Sequence, residues 1–315
     1  MSSAPATRPA GTRSRRASRW AGPGSLFNPL RILRPGHAFV AGYLILLVAF
    51  GVVPTGYGIY FAFTNAANYF SGLSNFTAAA RDFRYLPALG HVGLYLVIWL
   101  AALVILVTGL ALVLQQLRTR RLGRTVRFLY YIPGALAGAA SVLVWLFMLD
   151  PTVSPAAGLE RLLGYGTFGQ VVEPGHLAVL FAMIAFWTGA GGWIVVMYGA
   201  LNNIPLDVIE AARIDGAGGW QVARRIQIPM LRKWIVYMVI LAFAAGTQLF
   251  IEPQLVSEAS LGVAGRDYSL NQLSYDFAFQ NNNVNYAAAI SVELLVISVA
   301  VAAVFVTRSR FFDAD

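Results

Sequence analysis

The stretch EAARIDGAGGWQVARRIQIPML, residues 210–231, lies between two segments apolar enough to be buried in a lipid bilayer. A short turn would join two spans equally well, so an acidic, glycine-broken helix pair here points to a task in the water beside the membrane. Pro205 suits a first helical turn, Asp207 favours the positive end of the helix dipole, and Glu210 can pair with Arg213 at i, i+3. Ala211 and Ala212 offer a bare face for close approach of another backbone. Asp215 and Gly216 interrupt the helix as cap and turn, and helical spacing resumes over 220–228, with Val222 and Ile226 on one side, until Pro229 ends it. One reading is an amphipathic helix lying on the headgroups. The other is docking in a partner's groove, which suits small residues and an exposed acid that anionic lipid would repel.

Working outward, 58% of the 315 residues are hydrophobic and only 12% charged, too little charge to cover a soluble domain of this size. Mean hydropathy is +0.64. A hydrocarbon core about 30 Å thick needs roughly 20 apolar residues as helix, and six runs qualify. They are 39–63, 89–114, 128–149, 177–201, 234–251 and 286–307. The expected fold is therefore all-α and polytopic, with six transmembrane helices. Pro54, Gly51, Gly56 and Gly58 predict a kink or loosening in the first run. That run is about twice as long as a signal-peptide core and lacks a small-residue cleavage site, so a signal peptide is not expected.

Orientation follows from the cations, because cytoplasmic loops retain positive charge. The leader and the loops after spans two, four and six hold 19 Arg and Lys, against 4 in the alternate loops. Both termini are thus expected inside. This distribution also explains the net charge of +9 without nucleic acid, which is not an expected partner. Residues 1–36, rich in Pro, Ser, Gly and Arg, are expected to form a disordered basic cytoplasmic leader near anionic headgroups, ahead of a six-span transmembrane domain over 37–312.

The chain has no cysteine, and its three histidines have no second ligand at helical spacing, so no metal site is expected. Its only lysine, Lys233, sits in no phosphate-cradling Gly-Lys-Ser/Thr loop, so energy must come from elsewhere than a nucleotide bound here. Glu293 is the only acid well inside a predicted span and has no cationic partner in another, thin support for a proton relay.

Glu210-Ala211-Ala212, Asp215-Gly216-Ala217, Ile226 and Pro229 through Leu231 resemble the EAA loop of permease subunits of bacterial ABC importers. GLSNF at 72–76, RFLYYIP at 127–133, YDFAF at 275–279 and NYAAAIS at 285–291 are similar to the sugar-importer branch, of the subunit type of MalF and UgpA. The resemblance spans about residues 36–312. It implies a type I ABC importer permease fold and a multi-pass protein of the bacterial inner membrane, in which the loop 202–233 carries a coupling helix that inserts in a cytoplasmic ATPase. It further implies that Glu210 is offered to a basic group of the ATPase, that Asp215 and Gly216 hold the bend, and that Ala211, Ala212 and Ala217 permit close approach. Ala223 stands where the family usually has an aromatic, a departure that either loosens the fit or shifts the anchoring to Trp220. The implied partners are a second homologous permease, a dimeric ATPase that binds ATP and Mg, and an extracytoplasmic solute-binding protein. No cofactor is expected on this chain, nor any bond chemistry.

A sugar offers hydroxyls and C–H faces, so its path needs polar and aromatic groups together. The FWTGAGGW and GTQLF stretches nominate Trp187, Thr188, Gly189, Gly192, Thr247 and Gln248. Ordinary small-residue helix packing is the competing explanation. The rival functions are a secondary carrier, which needs inverted repeats and paired intramembrane charges, and a scaffold, for which these polar groups would be dispensable. A glycerol phosphate ester is the rival solute, and it would call for an arginine in the path.

Overall fold

A computed structural model of the chain describes residues 35–116, 120–136 and 138–308. The basic leader up to residue 34 lies outside them. Among the described residues the regular elements are helical, apart from one bridge between Thr64 and Phe70. The described residues fall into two compact units, divided between Pro54 and Thr55. The first carries α1 (Pro35–Leu47), a π-helical turn Val48–Val52 and the start of α2 (Val53–Ala62).

The second unit continues with α3 (Ser74–Arg81), α4 (Tyr85–Ala102), a π-turn Leu103–Val107 and α5 (Thr108–Gln116). Then come α6 (Arg120–Tyr131), a 3-10 turn Pro133–Ala135, α7 (Gly138–Met148), and the short α8 (Ala157–Leu162) and α9 (Phe168–Val171). The long α10 (Leu177–Asn202) leads to α11 (Leu206–Ile214), α12 (Gly219–Val222), a π-turn Ala223–Gln227, α13 (Ile228–Met230) and α14 (Arg232–Gly246). The unit closes with α15 (Ile251–Ala259), α16 (Leu270–Phe279) and α17 (Val284–Arg308).

Among the described residues four runs are long and apolar enough to cross a membrane: Val40–Ala62, Tyr85–Gln116, Leu177–Asn202 and Val284–Arg308. The 32 residues of Tyr85–Gln116 make a rod of about 48 Å, longer than the hydrocarbon core. The runs expected as spans three and five are bent pairs instead. Gly123–Ala135 and Gly138–Met148 meet at 103°, and Gly219–Met230 and Arg232–Gly246 at 61°. Pro133 at the first break has no N–H to continue the ladder, and Leu136 turns extended with ψ 135°. At the second, Pro229 follows a π-turn, and the Leu231 N–H is shared between the Gln227 and Ile228 carbonyls. Among the described residues there are thus four to six candidate spans, six if each bent pair crosses once.

The main core gathers around α10, which packs against α4, α5, α6, α7 and α14. Phe181, Ile184, Ile194, Met197 and Leu201 of α10 are buried there with Leu103, Val107 and Met238. By contrast only 22% of the apolar window of Val284–Arg308 is buried, so much of its surface is left for lipid or partner chains. Gly246 lets α14 touch α4, since a Cβ there would lie 2.5 Å from Leu96 Cδ2 and Trp99 Cζ3. A second core joins α3, α4, α16 and α17 through Ala79, Tyr85, Ala88, Leu270, Leu273, Ile290 and Leu294.

Polar contacts rim this second core. Arg84 donates to Asp82 through Nε (3.1 Å) and Nη2 (3.0 Å), lies 3.9 Å from Asp276 and stacks 4.8 Å from the Phe277 ring centre. The Tyr286 hydroxyl donates to Asp82 Oδ2 at 3.3 Å. The Arg84 hydrogen bond lowers the Asp82 carboxyl below its ordinary value of 3.8, so the pair stabilises the fold fully above that pH and is lost as pH falls through the lower folded value. Asp82→Asn should therefore lower the unfolding temperature at neutral pH by the equivalent of about 1 kcal/mol, the size of a partly exposed pair. The gap should close below pH 3.8. Intrinsic tryptophan fluorescence in detergent measures both, and a gap that persists in acid would refute this origin.

Candidate functional site

The 202–233 loop is a closed helical hairpin. α11 ends in a Schellman motif: Ala217 N–H bonds to the Ala212 carbonyl at 2.9 Å and Gly216 N–H to the Arg213 carbonyl at 3.0 Å. Gly216 adopts φ +84°, a left-handed conformation that a side chain would strain. Asp215 is the cap residue before it. Ala212 and Ala217 turn half-buried onto the main core. Gln221 Oε1 then accepts the Gly218 N–H at 2.9 Å and starts the second helix.

The outer surface carries Glu210, Ala211, Asp215 and Pro229, all exposed. Ile214 is 85% and Trp220 71% exposed, unusual for large apolar side chains unless something covers them. Ile226 is half-buried and Leu231 fully buried at the joint with α14. Ala223 also faces inward, so an aromatic at this position would enter the core, and Trp220 is the aromatic that points out. The expected Glu210–Arg213 ion pair does not form. Both residues are exposed and line one hollow of about 510 Å³ with Gln115, Asn202, Ile209 and Gln227, but the ion pairs among the described residues are both made by Arg84.

The sequence offered no local sign of how the loop is tied to the bundle. Buried Gln227 donates from Nε2 to Gln115 Oε1 at 2.6 Å, and Gln115 Nε2 donates to the Leu201 carbonyl at 3.1 Å. Loop, α5 and the end of α10 are thereby held by one amide chain. The two glutamines stand 112 positions apart, beyond the reach of any spacing rule.

The nominated path residues are not brought into one cavity. Trp187 stands edge-on to Trp145, ring centres 5.7 Å apart, in an apolar hollow of about 320 Å³ with Tyr130, Pro133 and Phe186. Thr188 gives its hydroxyl to the Ile184 and Ala185 carbonyls, and Thr247 to the Ala244 carbonyl, so both satisfy their own helices. A Cβ at Gly189 or Gly192 would meet nothing within 4 Å, so no helix approaches there. The close approach is at Gly191, where a Cβ would overlap the Tyr130 carbonyl, while a Cβ at Gly134 would lie 2.8 Å from the Thr188 carbonyl. The FWTGAGGW stretch is thus the seat of the 130–134 break. Gln248 is exposed and lines a different hollow, with Asn271 and Tyr275.

Residues 108–311, from α5 through α17 and including the loop, match the family described as binding-protein-dependent transport system inner membrane component. The chain belongs to this family. This permease is 28% identical over 289 residues to the multiple sugar-binding transport system permease protein MsmF of Streptococcus mutans, covering 88% of this chain and 96% of MsmF. It is 29% identical over 288 residues to the osmoprotective compounds uptake permease protein GgtC of Synechocystis, covering 88% and 98%. Its fold matches a chain in the crystal structure of a bacterial ABC transporter involved in the import of the acidic polysaccharide alginate, with a TM-score of 0.74 over 88% of this permease and 96% of that chain at 17% identity. It is therefore a multi-pass permease subunit of an ABC importer, in a family that works with an ATPase and a solute-binding protein.

Proposed function

We propose that this permease forms half of the pathway of a sugar or oligosaccharide importer, as the subunit of the MalF and UgpA type, with six spans and both termini in the cytoplasm. Its counterpart is a second, homologous permease, and solute arrives from an extracytoplasmic binding protein. Residues 1–36 are the basic cytoplasmic leader and 37–312 the permease domain. The loop 202–233 is the coupling element for a dimeric ATPase that binds ATP and Mg. Glu210 is the acid offered to it, Ile214 and Trp220 are apolar anchors, and Ala211, Ala212, Asp215, Gly216 and Ala217 give the bend its compact shape. Ile226, Pro229 and Leu231 pass its movement to α14. The amide chain from Gln227 to Gln115 and Leu201 passes it to α5 and α10.

The observation that carries this reading is an exposed apolar and acidic surface on a loop whose other side is closed by the Schellman motif and hydrogen-bonded to Gln115 of a span-length helix, which in turn bonds α10. A loop resting on anionic lipid has no need of an exposed acid at its tip. Of the nominated path residues, Gln248 has the strongest support, because its side chain is exposed in a hollow that it shares with Asn271, Ser274 and Tyr275. Trp187, Gly189 and Gly192 contribute shape, and the Thr188 and Thr247 hydroxyls are held by their own helices. Pull-down of the tagged chain from its own membranes in mild detergent, with mass spectrometry, tests the assembly. A second permease and an ATPase are expected with it. A chain recovered alone or as a homodimer would sink the importer assembly and favour a carrier or scaffold.

A further inference from the structure

α16 has two unlike faces. Leu270, Leu273 and Phe277 pack into the second core, while Asn271, Ser274, Tyr275 and Ala278, spaced i, i+3, i+4 and i+7, line an open depression of about 470 Å³. That volume is within the roughly 300–1,000 Å³ usual for small-molecule sites. Gln248 enters it from the end of α14, Phe250 and Ile251 from the start of α15, and Ser291 from α17. The Ser274 and Ser291 hydroxyls are 2.9 Å apart and share the Ala287 carbonyl, which fixes α16 on α17. Asn271 Nδ2 reaches the Thr247 carbonyl at 3.3 Å, and this leaves its Oδ1 for another donor. The Gln248 amide and the Tyr275 hydroxyl have no hydrogen-bond partner among the described residues. Tyr275 stands between Phe250 and Phe279, ring centres 5.2 and 4.8 Å away, as an aromatic wall beside the amides.

Facing hydrocarbon, the Gln248 amide, the Asn271 Oδ1 and the Tyr275 hydroxyl would lack partners, so this face requires water or a polar ligand. Among the described residues no charged side chain lines the depression, which argues against a phosphate or carboxylate ligand, since these recruit cations. We infer that Gln248, Phe250, Asn271, Ser274, Tyr275 and Ser291 form a contact site for a neutral carbohydrate ring on its way through the permease, the ring's C–H face on Tyr275 and its hydroxyls on the amides. This rests on the proposed sugar import and narrows it to uncharged sugars. It also assigns the path to the α15–α16–α17 hollow, apart from the apolar hollow that holds Trp187.

The test uses the full chain in cells of the source organism deleted for its gene and complemented with wild type or variants, and the probes are labelled glucose, maltose, lactose, cellobiose, trehalose and sn-glycerol-3-phosphate. Deletion should abolish uptake of at least one neutral sugar. For that sugar, Gln248→Ala and Tyr275→Ala should each lower the uptake rate about tenfold, the loss of one good contact, and Tyr275→Phe should restore most of it. Because the chain has no cysteine, Ala278→Cys places a single thiol in the wall. The same sugar should slow its reaction with a water-soluble methanethiosulfonate in membrane vesicles. Uptake that depends on the chain but is unaltered in Gln248→Ala and in Tyr275→Ala, or a thiol whose labelling the sugar does not slow, would overturn the site and leave the proposed function standing. If Tyr275→Ala is absent from membranes, Gln248→Ala and the labelling decide. Dependence of glycerol phosphate uptake alone, or of no probe, would overturn the neutral-sugar ligand together with the sugar reading.

Discussion

Glu210→Arg should release the ATPase from the purified assembly and reduce uptake to the level of a strain lacking the permease. Glu210 is exposed at the hairpin and has no ion pair among the described residues, so reversing its charge costs the isolated fold little. In a cleft that presents a cation, the same reversal replaces attraction by repulsion. Buried charge pairs at interfaces lose roughly 2–5 kcal/mol when one partner is removed, a factor of about thirty or more in affinity. Gln227→Leu supplies the contrast. It takes the donor from the half-buried Gln115 Oε1, at a cost of about 1 kcal/mol, without touching the outer surface. The ATPase should stay with this variant while uptake falls, because docking survives and transmission is weakened. Equal recovery of the ATPase with wild type and Glu210→Arg would remove Glu210 from the interface.

Gly191→Ala is expected to lose most of its folded protein, while Gly189→Ala, two residues away, should behave as wild type or better. At Gly191 a single Cβ overlaps the Tyr130 carbonyl and crowds the backbone of Tyr131, and backbone atoms cannot rotate aside as a flexible side chain can. Overpacking of this kind costs roughly 3 kcal/mol or more. At Gly189 the Cβ meets nothing, and replacing glycine inside a helix gains up to about 1 kcal/mol. Size-exclusion yield in detergent and the tryptophan unfolding temperature would register the contrast. Equal behaviour of the two variants would mean that the 130–134 segment does not rest on α10.

The same pair shows where reading a sequence stops. FWTGAGGW holds three glycines that look alike in the chain, and the two nominated for a path, Gly189 and Gly192, border no neighbour, whereas Gly191 carries the contact. Which glycine matters depends on the segment 60 positions earlier that crosses it. Thr188 and Thr247 look like solute ligands in the sequence, yet a helix carbonyl about one turn back keeps a second lone pair, and their hydroxyls bond there. In the sequence Tyr275 stood only within the YDFAF stretch, and nothing marked Asn271. Their common face appeared when α16 buried Leu270, Leu273 and Phe277 and so turned the others outward.

Apolar runs of membrane length and the cysteine-free, single-lysine composition belong to the chain itself, because transfer of apolar side chains to lipid depends on local composition and length alone. The Gly216 turn is likewise local, since left-handed backbone selects glycine whatever surrounds it. The amide chain from Gln227 to Leu201, the inward Ala223 and the polar face of α16 were decided by tertiary structure. Each depends on which helix lies opposite, and packing and hydrogen bonding between distant segments are settled only when all the helices compete for the same space.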